Sequence, residues 1–313
     1  MRPFRFGVGA SQLATDLERW PEHARRIENL GYSVLTVGDH PSMRAAGPLT
    51  AVAAAALATT TLRVGTYVLA NDFHHPVRLA REIATLDQLS GGRIELGLGA
   101  GWLETDYETY GASFDPPSVR IARLAEALQI ISMFFAGEPF VFDGDHYNVD
   151  VSHAFPTPYQ SPRPPLVVGG GSRSILSVAA RFADIVALTN SLAGGSKDLH
   201  DPSLASGTWE ATMSKLNIVR EEAGPRFESI ELGALVQRVV VTDDIDETAA
   251  QIAVTVQATP EQVLNSPNFL IGDVARIVDR LQEQRDATGI SYLTVVSANA
   301  DAFAPVVSAL AGR

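Results

Sequence analysis

The run Leu62-Arg63-Val64-Gly65-Thr66-Tyr67-Val68-Leu69 is apolar and β-rich. After a break at Ala70-Asn71-Asp72 and a helical segment from Pro76, it is answered by Arg93-Ile94-Glu95-Leu96-Gly97-Leu98-Gly99-Ala100-Gly101-Trp102. Strand, helix and strand at this spacing make a βαβ unit, and such a unit requires parallel pairing. Gly97, Gly99 and Gly101 recur at period two and therefore share one face of the strand. Three glycines on one face weaken a strand. Close approach of a ligand or of another backbone would account for them, and so would a bulge or tight packing. The spacing is G-x-G-x-G, not the G-x-G-x-x-G of a dinucleotide fingerprint.

The same alternation extends in both directions. Strands are expected at Phe4 to Gly9, Ser33 to Val37, Leu62 to Leu69, Arg93 to Gly99, Leu166 to Val168, Asp184 to Leu188, Ile230 to Val241 and Tyr292 to Ser297. Helices are expected between them: Asp16 to Leu30, Leu49 to Thr59, Pro76 to Leu89, Ser118 to Phe135, a segment ending at Phe182, and Thr208 to Ala223. Asp246 to Ala258, Gly272 to Thr288 and Ala302 to Ala311 complete the series. Eight βα units in ~250 residues plus insertions predict a (β/α)8 TIM barrel. A doubly wound sheet is the alternative, but no linker divides the chain, so residues 1–313 read as one domain. Two segments interrupt the rhythm, 137–165 and 190–207, and both are expected to be insertions that cover the pocket.

Composition narrows the function classes. The 313 residues are 46% hydrophobic and 19% charged, with a formal charge of -12. An acidic chain lacks the basic stripe of a nucleic-acid surface. With zero cysteines there is no disulfide, thiolate metal site or cysteine nucleophile. The start, Met1-Arg2-Pro3-Phe4-Arg5-Phe6, leads into a strand without a signal-like apolar core, and the alanine-rich run at Leu49 to Thr59 is too short to span a bilayer. A cytoplasmic protein is expected.

In a TIM barrel the active site lies at the C-terminal ends of the strands. Those ends read Ala10-Ser11, Asp39-His40, Val68 to Asn71, Gly101-Trp102, Gly169 to Ser172, Thr189-Asn190, Gln237 and Ser297. Neither lysine, Lys197 or Lys215, is among them, which argues against Schiff-base chemistry. There is no H-x-H on the first strand and no series of acidic strand ends, so no metal site is expected. Asp143-Gly144-Asp145-His146-Tyr147-Asn148 has neither the glycine nor the glutamate of a calcium loop. Without a nucleophile or a metal, a cofactor is the natural carrier of the chemistry. Gly169-Gly170-Gly171-Ser172-Arg173 joins a strand to a helix N-terminus, where free amides and the dipole favour a phosphate. The alternative there is a glycine turn with Ser172 as N-cap. His40 can donate a proton or bond a ring, with Asp39 orienting it, or it can be a structural histidine before Pro41.

Taken together, Gly38-Asp39-His40, Val64-Gly65-Thr66, His75-Pro76-Val77, Leu86-Asp87-Gln88-Leu89-Ser90-Gly91-Gly92-Arg93 and Gly97 to Trp102 resemble the luciferase-like monooxygenase superfamily. Pro164-Pro165-Leu166 with Gly169 to Ser172 continues the likeness. The resemblance implies a TIM barrel with insertions that binds a flavin or the deazaflavin coenzyme F420. It also implies a non-prolyl cis peptide at Tyr67-Val68 whose bulge backs the central ring of the cofactor. Asp39-His40 resembles the deazaflavin branch, where the histidine lies by the reactive face. Trp102 stands where some of that branch place a catalytic glutamate, a departure that counts against the sugar-phosphate dehydrogenase activity of those members.

The catalytic candidates are thus His40 and Asp39. The cofactor contacts expected are Tyr67, Val68, Ala70, Asn71, Gly101, Trp102, Gly169, Gly170, Gly171, Ser172 and Arg173. The reading is an oxidoreductase that moves a hydride between coenzyme F420 and a small organic substrate. An FMN-dependent monooxygenase and a flavin- or deazaflavin-binding protein without turnover are the alternatives. Arg44, Arg163 and Arg173 are the loop cations expected to meet the acidic tail that distinguishes F420 from FMN. The flat alanine face of Leu49 to Thr59 fits a homodimer contact, as the family suggests, or burial on the barrel.

Overall fold

The computed structural model describes residues 1–10, 17–190 and 207–313. Its strands are β1 (Arg5–Gly9), β2 (Val34–Val37), β3 (Arg63–Thr66), β4 (Leu69–Ala70), β5 (Ile94–Gly99), β6 (Phe140–Asp143) and β7 (Asn148–Val151). They continue as β8 (Leu166–Gly170), β9 (Ile185–Leu188), β10 (Glu231–Val236), β11 (Arg238–Val241), β12 (Phe269–Gly272) and β13 (Ile290–Val296). The helices are α1 (Trp20–Asn29), α2 (Pro48–Ala58), α3 (Pro76–Ser90), α4 (Glu104–Tyr110), α5 (Pro117–Phe135), α6 (Arg173–Phe182), α7 (Trp209–Ala223), α8 (Ile245–Thr255), α9 (Pro260–Asn265), α10 (Val274–Thr288) and α11 (Ala300–Leu310). No helix among the described residues is long and apolar enough to cross a membrane.

The main sheet runs β3-β2-β1-β13-β10-β9-β8-β5, and β5 pairs back to β3, so it closes. All of its pairings are parallel. With β4 as the continuation of β3, this is the expected eight-stranded barrel ringed by helices. Alternation along each strand divides its side chains between two cores. Phe6 faces outward and meets Phe303 of α11 edge-on, with ring centroids 5.4 Å apart. Val34, Val167, Ile185, Ala187 and Tyr292 form a separate buried cluster with Tyr67 inside the barrel.

The third strand is interrupted. Gly65 is opposite Glu95, but Leu69 is opposite Leu98, so three residues of one strand span two of the other. That is a β-bulge, and the Thr66 side chain bridges it. Its Oγ1 accepts from the Gly97 N–H and donates to the Gly97 carbonyl, each at 2.9 Å. The glycine face of β5 is explained by the same feature. A Cβ on Gly97 would overlap the Thr66 carbonyl, and one on Gly99 would lie 2.9 Å from a Val68 methyl. The close approach is therefore made by the neighbouring strand.

Two expectations change. The strand expected over Ile230 to Val241 breaks at Gln237: β10 stays in the barrel, while β11 leaves it and pairs with β12 in a separate two-stranded sheet. The small cluster under this sheet includes Ala249, Ile252, Val263 and Phe269. Insertion 137–165 is not a lid throughout. It opens with the hairpin β6–β7, whose turn is held by Glu126 accepting the amides of Asp145, His146 and Tyr147. It then runs to the far end of the barrel, where Gln160 bonds Asp87 and the Ile94 carbonyl at the start of β5. Insertion 190–207 lies almost wholly outside the described residues. The alanine helix α2 buries Ala51, Val52, Ala55 and Ala56 on the barrel, and Leu57 on its other side is 72% exposed.

Glu28 of α1 ties the outer layer to the barrel. Its carboxylate accepts the amides of Thr60, Thr61 and Leu62 at 2.9, 2.6 and 2.9 Å, fixing the turn into β3. Partial burial raises its pKa, but the amides of Thr61, Leu62 and Thr60 outweigh that and bring it down to about 2, from an ordinary 4.5. A carboxylate whose folded pKa is depressed stabilises the fold above its unfolded pKa and loses that contribution as pH falls. Glu28→Gln is therefore expected to lower the urea midpoint at pH 7, with the gap to wild type closing between about pH 4.5 and pH 2. A gap that stays constant across that window would show that charge plays no part.

Candidate active site

The site is built at the C-terminal ends of β2, β3–β4, β5 and β8. Beyond β2, Asp39 is 4% exposed and accepts from His74 Nε2 at 2.8 Å and from the Ala70 amide at 3.3 Å. It does not orient His40, contrary to expectation. The carboxylate on His40 is Asp106, from the first turn of α4, with Oδ2 at 2.7 Å from Nδ1. Its other oxygen, Oδ1, accepts the Ser42 amide at 3.1 Å and the Ser42 hydroxyl. Burial pushes the Asp106 carboxyl up, but the hydrogen bonds from His40 and Ser42 prevail and hold it below the usual carboxylate range. His40 Nε2 has no hydrogen-bond partner among the described residues, and the imidazole stands edge-on to Trp102 at 5.7 Å.

The β5–α4 turn that presents Trp102 is pinned from behind. Gly101 has φ 72°, a left-handed conformation that favours glycine, and a Cβ there would overlap the Tyr107 hydroxyl. Arg120 of α5 is 2% exposed and donates to the carbonyls of Ala100, Gly101 and Asp115 while lying 4.2 Å over the Phe114 ring. Nearby, Asp72 accepts from Tyr107 and Arg123, each at 3.1 Å.

The Tyr67-Val68 peptide is cis, as the resemblance implied. Val68 rests over Gly97, Gly99 and Gly169 and is partly exposed. Tyr67 turns into the barrel, where burial pushes its phenol up and its hydroxyl has no partner among the described residues. Ala70 and Asn71 are 8% and 1% exposed, and their polar groups are engaged within the protein. The Ala70 amide is on Asp39, and Asn71 Nδ2 donates to the Tyr147 hydroxyl of the hairpin at 3.2 Å.

At β8, Gly169 and Gly170 end the strand and are partly exposed, as is Gly171. A Cβ on Gly171 would crowd the Thr189 carbonyl at 2.5 Å, so the glycine is required by the adjoining strand end. Ser172 is exposed at the N-cap of α6 but makes no side-chain cap, so among the described residues its hydroxyl and the first-turn amides of the helix are available to an anion. Arg173 is drawn to Glu221 and Glu222 of α7, at 3.6 Å each. Arg163 is at the wrong end of the barrel for a cofactor tail. It precedes β8 and pairs with Asp184, which precedes β9. Arg44 is exposed in the turn after His40. The described part of this face thus offers an apolar floor at Val68, a ring nitrogen at His40, an aromatic edge at Trp102 and free amides at α6. These residue types fit a flat ring system that carries a phosphate.

Asp106, His74, Ser42 and Arg120 were not singled out from sequence. Asp106 had one signal, its place just after the glycine run in the first turn of a helix.

The profile of the luciferase-like monooxygenase family matches residues 1–289. An uncharacterized protein of Mycobacterium tuberculosis (strain ATCC 25618 / H37Rv) is 34% identical over 146 residues, 47% of this chain and 51% of that protein. The F420-dependent glucose-6-phosphate dehydrogenase of Microbacterium testaceum (strain StLB037) is 29% identical over 189 residues, 58% of this chain and 55% of that one. The FMNH(2)-dependent dimethylsulfone monooxygenase of Pseudomonas fluorescens (strain Pf0-1) is 27% identical over 208 residues, 66% and 51% of the two chains. The chain spans about half the length of these curated relatives. Among solved structures, an F420-dependent secondary alcohol dehydrogenase in complex with an F420-acetone adduct shares the fold. Its TM-score is 0.77 at 19% identity, covering 98% of this chain and 99% of that one. With this barrel and a family match over most of its length, the chain belongs to the luciferase-like monooxygenases.

Proposed function

We propose that the protein is an oxidoreductase that uses coenzyme F420 to move a hydride to or from a small organic substrate. The observation that carries this reading is His40, held through Nδ1 by Asp106 at the end of β2, with its other ring nitrogen unpartnered among the described residues. When bound, a deazaflavin supplies two-electron hydride chemistry. His40 holds or moves the accompanying proton at Nε2, Trp102 bounds the same space, and Val68 provides the apolar floor. Ser172 and the first amides of α6 bind the phosphate. The likeness to an F420-dependent dehydrogenase supports the choice of cofactor. The likeness to an FMNH(2)-dependent monooxygenase over 208 residues supports FMN as the second reading.

The test is a fluorescence titration with both cofactors. F420 continues past the phosphate into a chain of carboxylates, and Arg44 is the exposed loop cation closest in sequence to His40. One charge-assisted contact of ~1.5 kcal/mol corresponds to about tenfold in affinity. F420 is expected to bind about tenfold more tightly than FMN, with the margin shrinking at high salt. Arg44→Ala should weaken F420 and leave FMN unchanged. Tighter binding of FMN, or protein that purifies yellow with it, would assign the monooxygenase instead.

A further inference from the structure

We infer that Asp106 is a positioning residue that fixes His40 as the tautomer with a proton on Nδ1 and a free lone pair on Nε2. This deepens the reading above, on which it rests, by naming the atom that exchanges the proton: the neutral ring accepts it at Nε2. The same nitrogen returns the proton when the reaction runs the other way.

The inference rests on the way the two Asp106 oxygens are used. Oδ1 faces two donors, the Ser42 amide at 3.1 Å and the Ser42 hydroxyl, and the amide N–H cannot reverse its polarity. Oδ2 faces His40 Nδ1 at 2.7 Å. An ionised carboxylate only accepts, so Nδ1 must carry a hydrogen. The carboxyl is 3% exposed, and its ionised form is favoured by these same bonds. In a neutral imidazole the other nitrogen is then the acceptor. Asp39, next to His40 in sequence, is engaged by His74 and the Ala70 amide, and so it does not compete for the ring.

Asp106→Asn separates the two tautomers. The Ser42 amide requires the Asn oxygen on its side, which turns the Asn NH2 toward His40. Nδ1 must then accept, and the proton moves to Nε2. The tautomer inverts while the hydrogen-bonded frame is kept.

Long-range 1H–15N spectra of histidine-labelled protein read this directly, at a pH where the ring is neutral and with no cofactor present. The His40 signal is identified as the one missing from His40→Gln among the seven histidines. In wild type, Nδ1 should have the shift of a protonated nitrogen and Nε2 that of an unprotonated one. In Asp106→Asn the two should exchange. Ser42→Ala removes the hydroxyl but keeps the amide, and should leave the wild-type pattern. With the assigned cofactor, Asp106→Asn should also lower turnover by ~10²-fold or more, the range for losing a general base. A wild-type spectrum with Nε2 protonated overturns the inference, even if Asp106→Asn does not fold. Unchanged tautomers in a folded Asp106→Asn overturn it as well. Because the spectra need no cofactor, these outcomes are separate from any failure of the F420 assignment.

Discussion

His40→Ala is expected to lower turnover by ~10²–10⁴-fold, the usual loss when a general acid or base is removed, while leaving the fold intact. The substitution leaves Asp106 bonded to the Ser42 amide and hydroxyl, so one oxygen of a buried carboxylate loses its partner. Leaving one buried acceptor unpaired costs about 1–3 kcal/mol, less than the ~5–15 kcal/mol that holds an ordinary domain. Phosphate binding at α6 should persist, because Ser172 and its helix are on β8, a different strand from the one that carries His40. Steady-state rates and cofactor titration of the same preparation separate the two effects. A folded variant with unchanged turnover would return His40 to a structural role. A protein that binds cofactor yet turns over no substrate, with or without His40, would favour the binding-protein reading.

The barrel was legible because its signals are local. Each strand and helix carries its own periodicity, and Gly65, Gly97 and Gly99 mark the close approach of β3 to β5 within one βαβ unit. The bulge at Tyr67-Val68 was implied only by the family resemblance, and the Thr66 side chain that bridges it came from the structure. The site was less legible because its pairings are long-range. Asp39 was expected to orient His40 because the two are adjacent, yet neighbouring residues at a strand end project to opposite sides. The actual partner, Asp106, is 66 residues away on another βα loop, and no spacing rule reaches that far. Arg163 illustrates a rule that was available. A residue just before a strand lies at the end of the barrel opposite a residue just after one, which excludes Arg163 from the mouth. β12 was missed because Phe269-Leu270-Ile271 is a short apolar run that pairs outside the main sheet, and periodicity cannot place a strand of that length.

The largest stability effect is expected at the opposite end of the barrel, with Glu95→Ala. Glu95 is 1% exposed and receives Arg5 Nη2 and Arg63 Nε at 2.7 Å each, while Arg5 also reaches Glu231 at 3.0 Å. Two arginines and two glutamates make a neutral quartet across β1, β3, β5 and β10, with the Arg5 guanidinium 4.5 Å over the Tyr292 ring. Removing Glu95 leaves a net positive charge in a site where both arginines are about one-quarter exposed. Breaking a buried pair from one side costs about 3–5 kcal/mol, because the charge left behind is uncompensated. Partial hydration of the arginines places the expected loss at the lower end, ~3 kcal/mol, read as a fall in the urea midpoint at unchanged slope. Glu95→Gln keeps the volume and removes only the charge, so it should lose nearly as much. Adding Arg63→Gln to Glu95→Gln restores neutrality and should recover part of the loss, a coupling that a purely steric role for Glu95 would not produce. A Glu95→Gln protein as stable as wild type would show that packing, not charge balance, holds the floor. Cofactor affinity should change little in any of these variants, because Glu95 precedes Gly97 and Gly99 on β5 and lies below the bulge, on the side away from the proposed site.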